Sequence, residues 1–342
     1  MKPQLLFISL EHWDDVWRRN QFLAVRMQKD FTVTFIGPVI PFWRFFQKRL
    51  ARYQNIQLKH IIKFFPERFA WLNALTYSVQ CPRATNVLWL NDHTKYFLLE
   101  KVRYTKSIYD ITDDWTITTP AYIPMDRFLC QAVNTVLVCS QGLLQRRSKI
   151  TKNIILVKNG ININDYTFTK SQQKYFLYTG SLHEDRLDIL LMIALAKKYP
   201  QERFLYVGPN FMREATNKKL AQYVNIELVG AKPYTQLSRY MSEAKALIVP
   251  HCQNAFVNSL DPIKQYEYLL TAVPVISTNV SGFNEWSGLF TIVERNEFTA
   301  AIEKAIHGKI KVATAARRKA ARQCSWDMRY KQIQGIVCAK KS

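Results

Sequence analysis

The chain has 342 residues, a length suited to two domains that each bury a core of their own. Its hydrophobic content of 48% is typical of a globular protein, and no stretch approaches the roughly 20 uninterrupted apolar residues that a membrane-spanning helix needs. The formal net charge of +22 indicates an acidic partner, which could be a nucleic acid, an anionic membrane or a phosphorylated substrate.

The N-terminal segment predicts a first β-strand. In MKPQLLFISLEHWDD the apolar run is too short for a signal peptide, and acidic residues follow it at once. The six cysteines form no C-x-x-C pair and show no metal-ligand spacing. We therefore expect a reduced, cytoplasmic protein without disulfides or a structural zinc.

Strand and helix patterns alternate along the rest of the chain. In the first half, strands are predicted at QLLFISL, FTVTFIG, NVLWLN, SIYDIT, TVLVCS and NIILVKNG, with a helix over residues 16–28. In the second half, strands at KYFLYTGS, RFLYVGP, NIELVG, ALIVP and PVIST alternate with helices near residues 187–198 and 235–244. This alternation is typical of parallel sheets covered by helices on both faces. The polar residues 162–173 predict a linker between two Rossmann-like domains of similar size.

The stretch DPIKQYEYLLTAVPVIST, residues 261–278, predicts a compact helix followed by a buried strand. Asp261 and Pro262 suit the N-cap and the first helical position, and Pro274 ends the helix. The helix N-terminus could hold an anion, and Glu267 could accept hydrogen bonds from vicinal hydroxyls. The stretch is therefore either half of a nucleotide site or an ordinary helix that carries a surface glutamate.

Further candidate residues follow the carboxyl ends of four predicted strands, where open α/β sheets bind ligands. They lie at residues 11–15, 91–93, 110–115 and 179–186. Gly180 would let a phosphate approach the backbone closely, with Arg186 as its charge partner. Asp113 and Asp114 could instead cap a helix, and His93 could be an ordinary loop histidine.

Residues 41–72 interleave basic and aromatic side chains. This segment could form ordinary amphipathic helices, or it could contact an anionic membrane surface. The residues expected on the acceptor or membrane side are Trp13, Arg44, Lys48, Arg49 and Arg52.

Several functional classes lack their sequence signals. The chain has no G-x-G-x-x-G fingerprint, no Walker G-x-x-x-x-G-K-[ST] and no G-x-S-x-G elbow, which disfavours NAD chemistry, a P-loop ATPase and an α/β-hydrolase. It also shows no helix-turn-helix, RRM or KH signature, so no nucleic-acid partner is expected.

The chain resembles the two-domain GT-B-fold glycosyltransferases of bacteria, of the group 1/4-like type that acts in cell-surface polysaccharide biosynthesis. The most specific resemblance is the pattern D-P-x-K-x-Y-E-Y-L-x-x-x-x-P-V-[IV]-S-T at residues 261–278. IYDITDDW at 108–115 and YTGSLHEDRLD at 178–188 support it. Within this group the chain is most similar to teichuronic acid and exopolysaccharide glycosyltransferases.

The resemblance implies two Rossmann-like domains facing across a cleft. The domains are expected at residues 1–165, on the acceptor side, and 166–322, on the nucleotide-sugar side, with a helix in residues 323–342 that crosses back to the first domain. A hexose or similar sugar would pass from a nucleoside diphosphate sugar, expected to be a UDP-sugar, to a lipid-linked or polysaccharide acceptor. The enzyme would lie on the inner face of the cell membrane.

The resemblance also assigns site residues. Glu267 would hydrogen-bond the ribose, while Arg186 and Lys264 would stabilise the leaving diphosphate without a metal ion or another cofactor. The implied donor site comprises Gly180, Ser181, Arg186, Asp261, Lys264, Tyr266 and Glu267.

Two positions depart from the family pattern. A second glutamate that many retaining members carry corresponds to Ser259, and the usual glycine before the buried strand is Val273. The stereochemical outcome therefore stays open. An inverting enzyme needs a general base, for which Asp113 and Asp114 are candidates, whereas in a retaining enzyme His93 or main-chain groups could position the donor. The alternatives are a nucleotide-sugar epimerase of the same fold and a non-catalytic, basic polyanion-binding protein.

Overall fold

The computed structural model describes residues 1–44, 51–169 and 171–338. The chain divides into two compact units, of which unit 1 comprises Met1–Asn159 and Trp326–Ser342, and unit 2 comprises Gly160–Ser325. The observed division falls after Asn159, whereas the boundary was expected at residues 165–166. Lys48 and Arg49, expected on the membrane side, lie outside the described residues.

In the described part of unit 1, eight strands form one sheet. They are β1 (Gln4–Ile8), β2 (Thr32–Pro41), β3 (Arg52–Tyr53), β4 (Ile56–Lys63), β5 (Val87–Leu90), β6 (Lys106–Ile111), β7 (Thr135–Val138) and β8 (Ile154–Leu156). Their order is β3-β4-β2-β1-β5-β6-β7-β8, and β3 with β4 is the antiparallel pair among otherwise parallel neighbours. The strand sequences are nearly continuous apolar runs because helices cover both faces of the sheet.

Among the residues of unit 1 that the structure describes, six α-helices follow strands along the chain. They are α1 (Arg19–Met27), α2 (Ala70–Gln80), α3 (Leu98–Lys101), α4 (Trp115–Thr118), α5 (Ile123–Ala132) and α6 (Gln141–Arg147). Helix α6 begins where the Ser140 hydroxyl accepts a hydrogen bond from the Leu143 amide.

The longest element in the described part of the basic-aromatic segment is a strand, so its interpretation as amphipathic helices is wrong there. β4 occupies Ile56–Lys63, and α2 begins only at Ala70. The β-branched residues Ile56, Ile61 and Ile62 favour a strand. Ile56 and Ile61 are buried, and β4 pairs in parallel with β2.

Unit 2 contains a six-stranded, fully parallel sheet. Its strands are β9 (Tyr175–Thr179), β10 (Phe204–Val207), β11 (Ile226–Gly230), β12 (Ala244–Val249), β13 (Val275–Thr278) and β14 (Thr291–Val293). Their order is β11-β10-β9-β12-β13-β14. Its helices are α7 (Ile189–Lys198), α8 (Glu214–Leu220), α9 (Tyr234–Ser242), α10 (Lys264–Leu269), α11 (Phe298–Ile306) and α12 (Thr314–Gln323).

The strand order reverses once in each sheet. In unit 1 the neighbours of β1 are β2 and β5, and in unit 2 the neighbours of β9 are β10 and β12. At such a reversal the loops beyond the carboxyl ends of two adjacent strands diverge and leave a crevice for a ligand. The prediction of two Rossmann-like parallel-sheet domains is confirmed, and the crevices locate the candidate sites.

The last helix, α13 (Trp326–Cys338), belongs to unit 1. The Trp326 indole is fully buried and stacks on Phe22 of α1 with ring centroids 5.3 Å apart. Asp327 pairs with Arg26 at 3.1 Å. Within the described ranges, no helix is both long and apolar enough to cross a membrane.

Candidate functional site

The turn after β9 is built around Gly180. Its φ of +128° is a backbone conformation that favours glycine. A Cβ at this position would lie 2.6 Å from Nζ of Lys264, so a larger residue would collide with the lysine. Gly180 and Lys264 therefore lie close together at the crevice of unit 2.

Lys264 packs against an aromatic ring and has a second cation as a neighbour. Its ammonium lies 3.6 Å from the centroid of the Tyr178 ring, a cation–π contact. Burial, together with the charge of Arg186, lowers the pKa of Lys264 well below its usual range. Two cations that repel each other in a half-buried crevice favour the binding of an anion between them.

His251 adds a polar group that the sequence did not single out. It follows β12, is 3% exposed, and its Nε2 lies 3.2 Å from the Tyr178 hydroxyl. Burial, Lys264 and Arg186 lower the pKa of His251 well below its usual range. A neutral imidazole here adds no third positive charge, so the cationic pair is Lys264 and Arg186.

Asp261 does not cap the helix, so its predicted role at the N-cap is wrong. Helix α10 begins at Lys264, and the N-cap position is Ile263. The Asp261 carboxylate instead accepts hydrogen bonds from the Gln265 side chain at 2.7 Å and from the Tyr266 hydroxyl at 2.8 Å. Tyr266 is 1% exposed. These contacts brace the loop before α10.

Glu267 is buried, so its interpretation as a surface glutamate is wrong. It is 5% exposed, and its Oε1 accepts hydrogen bonds from the hydroxyls of Tyr166 and Tyr234. Burial raises the pKa of Glu267, while the two phenol donors and Lys264 lower it. The sequence did not indicate either tyrosine, and Tyr166 lies within the predicted linker.

The structure brings the predicted donor residues together in unit 2. The Ser181 carbonyl accepts a hydrogen bond from Tyr178 at 3.4 Å, in the same turn as Gly180. The guanidinium of Arg186 lies 5.2 Å from the centroid of the Phe256 ring. The site thus has a cationic part at Gly180, Arg186 and Lys264 and an acidic part at Glu267, which suits a ligand with a phosphate group and hydroxyls.

In unit 1, the Asp114 carboxylate forms ion pairs with two arginines. Arg147 reaches its two carboxylate oxygens at 2.7 and 3.2 Å, and Nε of Arg146 lies 2.9 Å away. Burial by itself would raise the pKa of Asp114, but the hydrogen bonds from Arg147 and Thr116 and the charge of Arg146 bring it below its usual value. A carboxylate held in this way is a weak base.

Asp113 and His93 have different surroundings. Asp113 is half-buried in the loop between β6 and α4. His93 is 4% exposed, and its ring lies 4.3 Å from that of Tyr122. Burial lowers the pKa of His93, against the opposing charges of Asp92 and Asp126.

Glu11 is a titratable group to which the sequence assigned no role. It follows β1, and its carboxylate accepts hydrogen bonds from Arg18 and Asn20, each at 3.2 Å. Burial raises the pKa of Glu11 to about 7, with the carboxylates of Asp113 and Asp15 adding to the shift and Arg18 opposing it. The charge of Glu11 therefore changes near neutral pH, at the crevice of unit 1.

Trp13, expected on the acceptor side, packs inside unit 1. It is 4% exposed, with its ring 5.0 Å from Phe35, 5.1 Å from Tyr53 and 5.5 Å from Trp17. An indole so enclosed has little surface with which to contact a ligand.

An exposed aromatic surface follows the ends of β2 and β4. Pro41 of β2 pairs with Lys63 of β4, so the residues after these two strands leave the sheet side by side. We define the aromatic edge as Phe42, Trp43, Phe64 and Phe65, which are 53%, 68%, 51% and 36% exposed. Arg44 and Arg52 are exposed nearby in the sequence.

The face of α2 that is turned to solvent continues this apolar character. Trp71, Leu75 and Val79 recur at every fourth position, so they lie along one face of the helix. They are 66%, 51% and 83% exposed. Apolar side chains exposed in such a row are typical of an interaction surface.

A family model matches part of unit 2, and solved structures match the fold of nearly the whole chain. Residues 173–308 match the family model described as glycosyl transferases group 1. A Bacillus subtilis protein, whose name proposes a role as a teichuronic acid biosynthesis glycosyltransferase, is 26% identical over 167 residues. That match covers 46% of this chain and 41% of the relative, so it spans less than half of the relative's length.

Solved structures of glycosyltransferases are similar over nearly the whole chain. Sucrose-phosphate synthase from Thermosynechococcus elongatus has a TM-score of 0.77 at 12% identity, covering 98% of each chain. The Anabaena protein HepE, in complex with UDP and glucose, has a TM-score of 0.78 at 13% identity, covering 99% of this chain and 100% of its own. These likenesses show a common fold, which is GT-B.

Proposed function

We propose, from the group 1 glycosyltransferase domain that this GT-B-fold chain carries, that the protein transfers a sugar from a nucleoside diphosphate sugar to an acceptor used in cell-surface polysaccharide biosynthesis. The observation that carries the proposal is the cationic pair of Lys264 and Arg186 beside the Gly180 turn, with Glu267 on the same helix as Lys264. A diphosphate fits the cationic part of the site, and a ribose fits the carboxylate.

In the proposed reaction the bond between the sugar C1 and the diphosphate oxygen breaks, and its electron pair leaves with the diphosphate. An acceptor hydroxyl oxygen forms the new bond to C1, and its proton passes to a base. Lys264 and Arg186 would stabilise the charge that develops on the diphosphate. The proposed enzyme needs no metal ion and no other cofactor, because these side chains supply the positive charge.

Asp113 is the proposed general base if the reaction inverts the configuration at C1. Among the two adjacent carboxylates, Asp114 is neutralised by Arg146 and Arg147, whereas Asp113 is half-buried at the carboxyl end of β6. If the reaction retains the configuration, the departing diphosphate would take the proton, so no protein base is required, and His93 is proposed to position the donor.

A UDP-sugar is the proposed donor and a hexose the proposed sugar. The HepE structure holds UDP and glucose, and the name of the Bacillus subtilis relative refers to teichuronic acid. These two facts support a UDP-hexose and an acceptor that is a lipid-linked or polysaccharide intermediate.

The proposed location is the inner face of an anionic membrane. The aromatic edge would enter the interface, while Arg44 and Arg52 would attract acidic headgroups. The net charge of +22 favours the same surface.

A thermal-shift screen against UDP, GDP, ADP, CMP and several nucleotide-sugars, with and without Mg²⁺, tests the donor proposal. A ligand at 100 times its dissociation constant adds about 2.7 kcal/mol to the free energy of unfolding, which raises the melting temperature measurably. We expect a selective shift with UDP and UDP-sugars in the absence of Mg²⁺. No shift with any nucleotide would contradict the proposal and favour a polyanion-binding protein, while conversion of a UDP-sugar without an acceptor would indicate an epimerase.

A further inference from the structure

Glu267 is a buried carboxylate whose direct partners are phenols rather than cations. Its Oε1 accepts a hydrogen bond from Tyr166 at 2.8 Å and a shorter one from Tyr234. A carboxylate oxygen has two lone-pair directions, so these two donors occupy Oε1 fully. Among the described residues nothing donates a hydrogen bond to Oε2, which remains able to accept from a ligand.

The two phenols approach Glu267 from different parts of unit 2. Tyr166 follows the short 3-10 turn Ile163–Asp165, and Tyr234 is the first residue of α9. Their rings meet edge to face with centroids 5.3 Å apart, and Tyr166 also stacks on Phe168. Three separate segments of the chain therefore fix the orientation of one carboxyl group.

The same contacts control the charge of Glu267. Burial is the largest influence and leaves the pKa of Glu267 above its usual value, while the hydrogen bonds from Tyr234 and Tyr166 limit that rise, because a donor stabilises the ionised form. Burial also raises the pKa of both phenols well above their usual range, so both remain donors at neutral pH. The other ionisable groups that bear on this cluster are Lys264, Tyr268 and Asp165.

We propose that Tyr166 and Tyr234 are positioning residues that hold Glu267 ionised and oriented, so that Oε2 selects nucleotides with an intact ribose diol. This inference rests on the proposed function, since it deepens the role of the same site. A fixed anion accepts hydrogen bonds from a diol without the cost of ordering a flexible side chain. The two tyrosines thereby set a preference for ribonucleotides over analogues without the diol.

The first test uses the unaltered protein and two ligands, UDP and 2′,3′-dideoxy-UDP. Dissociation constants are measured by calorimetry between pH 5 and 8.5, and the ratio of the two constants is followed. Changes at the diphosphate affect both ligands and cancel in this ratio, which leaves the contribution of the diol. We expect a preference for UDP of roughly tenfold or more at high pH, as for hydrogen bonds to a charged group, with a loss as Glu267 becomes protonated.

The second test uses Tyr166→Phe, Tyr234→Phe and the double variant, with Tyr240→Phe on the same helix as Tyr234 as the control. Phenylalanine keeps the ring packing and removes the hydroxyl. Without the donors the pKa of Glu267 rises further, so the pH at which half of the preference is lost should be higher in the double variant than in the unaltered protein. Tyr240→Phe should leave the preference and its pH midpoint unchanged.

The results of these two tests either support or overturn the role proposed for Tyr166 and Tyr234. Equal losses of affinity for both ligands in the Phe variants would indicate general packing and overturn it. A preference that is independent of pH, or unchanged by both substitutions, would overturn it as well. If a Phe variant unfolds, the pH dependence of the ratio in the unaltered protein still decides. If the unaltered protein binds no nucleoside diphosphate at all, the proposed function itself fails and the inference with it.

Discussion

At the scale of single residues, the candidate site contains charged side chains whose burial costs free energy. The ammonium of Lys264 lies 3.6 Å from the centroid of the Tyr178 ring. Burial and the charge of Arg186 lower the pKa of Lys264. Such an arrangement raises the free energy of the empty site, and a bound dianion would relieve it. The cost is therefore consistent with binding of a phosphorylated ligand.

Replacing Lys264 by Met should weaken the binding of UDP by about tenfold to a hundredfold, because a charged hydrogen bond to phosphate is worth ~1.5–3 kcal/mol. Uridine, which has no phosphate, should be affected much less. Calorimetry with both ligands at pH 7.5 measures the difference. Lys219→Met, at an exposed position of α8, serves as the control. Equal losses for UDP and uridine would argue against a diphosphate contact.

The raised pKa of Glu11 predicts that the free energy of unfolding depends on pH. Burial raises its pKa from 4.5 to about 7, so between these values the unfolded chain is ionised at this position while the folded chain is protonated. The contribution to stability is fully present below pH 4.5 and is lost as the pH rises through 7.

Glu11→Gln removes this titration and keeps an acceptor oxygen for Arg18. Between pH 5 and 8, the free energy of unfolding of the variant should gain about 2–3 kcal/mol relative to the unaltered protein. Urea unfolding at four pH values measures it. A constant difference across the range would show that Glu11 does not titrate there in the folded state.

At the scale of elements, the ends of β2 and β4 create the exposed aromatic edge. Because Pro41 pairs with Lys63, the aromatic residues after both strands reach the surface together. The solvent face of α2, with Trp71, Leu75 and Val79, lies directly after them in the chain. Arg44 directly follows the aromatic edge in the chain, whereas Arg52 of β3 pairs with Gln57 near the start of β4. An apolar surface with basic residues on the same domain is what an anionic membrane interface binds.

Replacing Arg44 and Arg52 by Glu should weaken binding to vesicles that contain anionic lipid, since each basic residue near the surface contributes about 1 kcal/mol. Co-sedimentation measures this binding. The vesicles contain about one-third phosphatidylglycerol, an anionic lipid. The control, with the same change in net charge, is Arg318→Glu with Lys219→Glu, at exposed positions of unit 2. An equal loss in the control would assign the attraction to net charge rather than to this surface.

At the scale of the whole molecule, the net charge acts on anionic surfaces, whereas the fold forms the candidate site for a small ligand. The chain carries 48 basic and 26 acidic residues, so long-range attraction to any anionic surface is strong. The proposed nucleotide site, in contrast, depends on a few buried and half-buried groups in one crevice. Salt should therefore separate the two activities.

At about 1 M salt the Debye length is roughly 3 Å, so attraction between exposed charges is largely screened. We expect binding to anionic vesicles to fall by about tenfold or more, while the melting shift with UDP persists. Both are measured on the same preparation at low and high salt. Loss of the UDP shift in parallel with vesicle binding would indicate that UDP binds to exposed charges instead of the crevice.

Much of the architecture follows from the sequence alone. Alternating apolar strands and amphipathic helices predict two parallel-sheet domains, because the period of a strand and that of a helix are local properties of the chain. The helix and strand at residues 261–278 are also predicted, although Asp261 has a different hydrogen-bond partner from the expected one.

Contacts between distant segments depend on the tertiary structure. The sequence separates Tyr166 and Glu267 by 101 residues, and no local pattern shows that their side chains meet. Burial likewise decides that Asp114 is an ion-pair partner of Arg147, that Trp13 is a packing residue, and that Glu11 titrates near pH 7. Local periodicity specifies the elements, whereas the charge, orientation and accessibility of a side chain depend on neighbours that only the folded chain brings together.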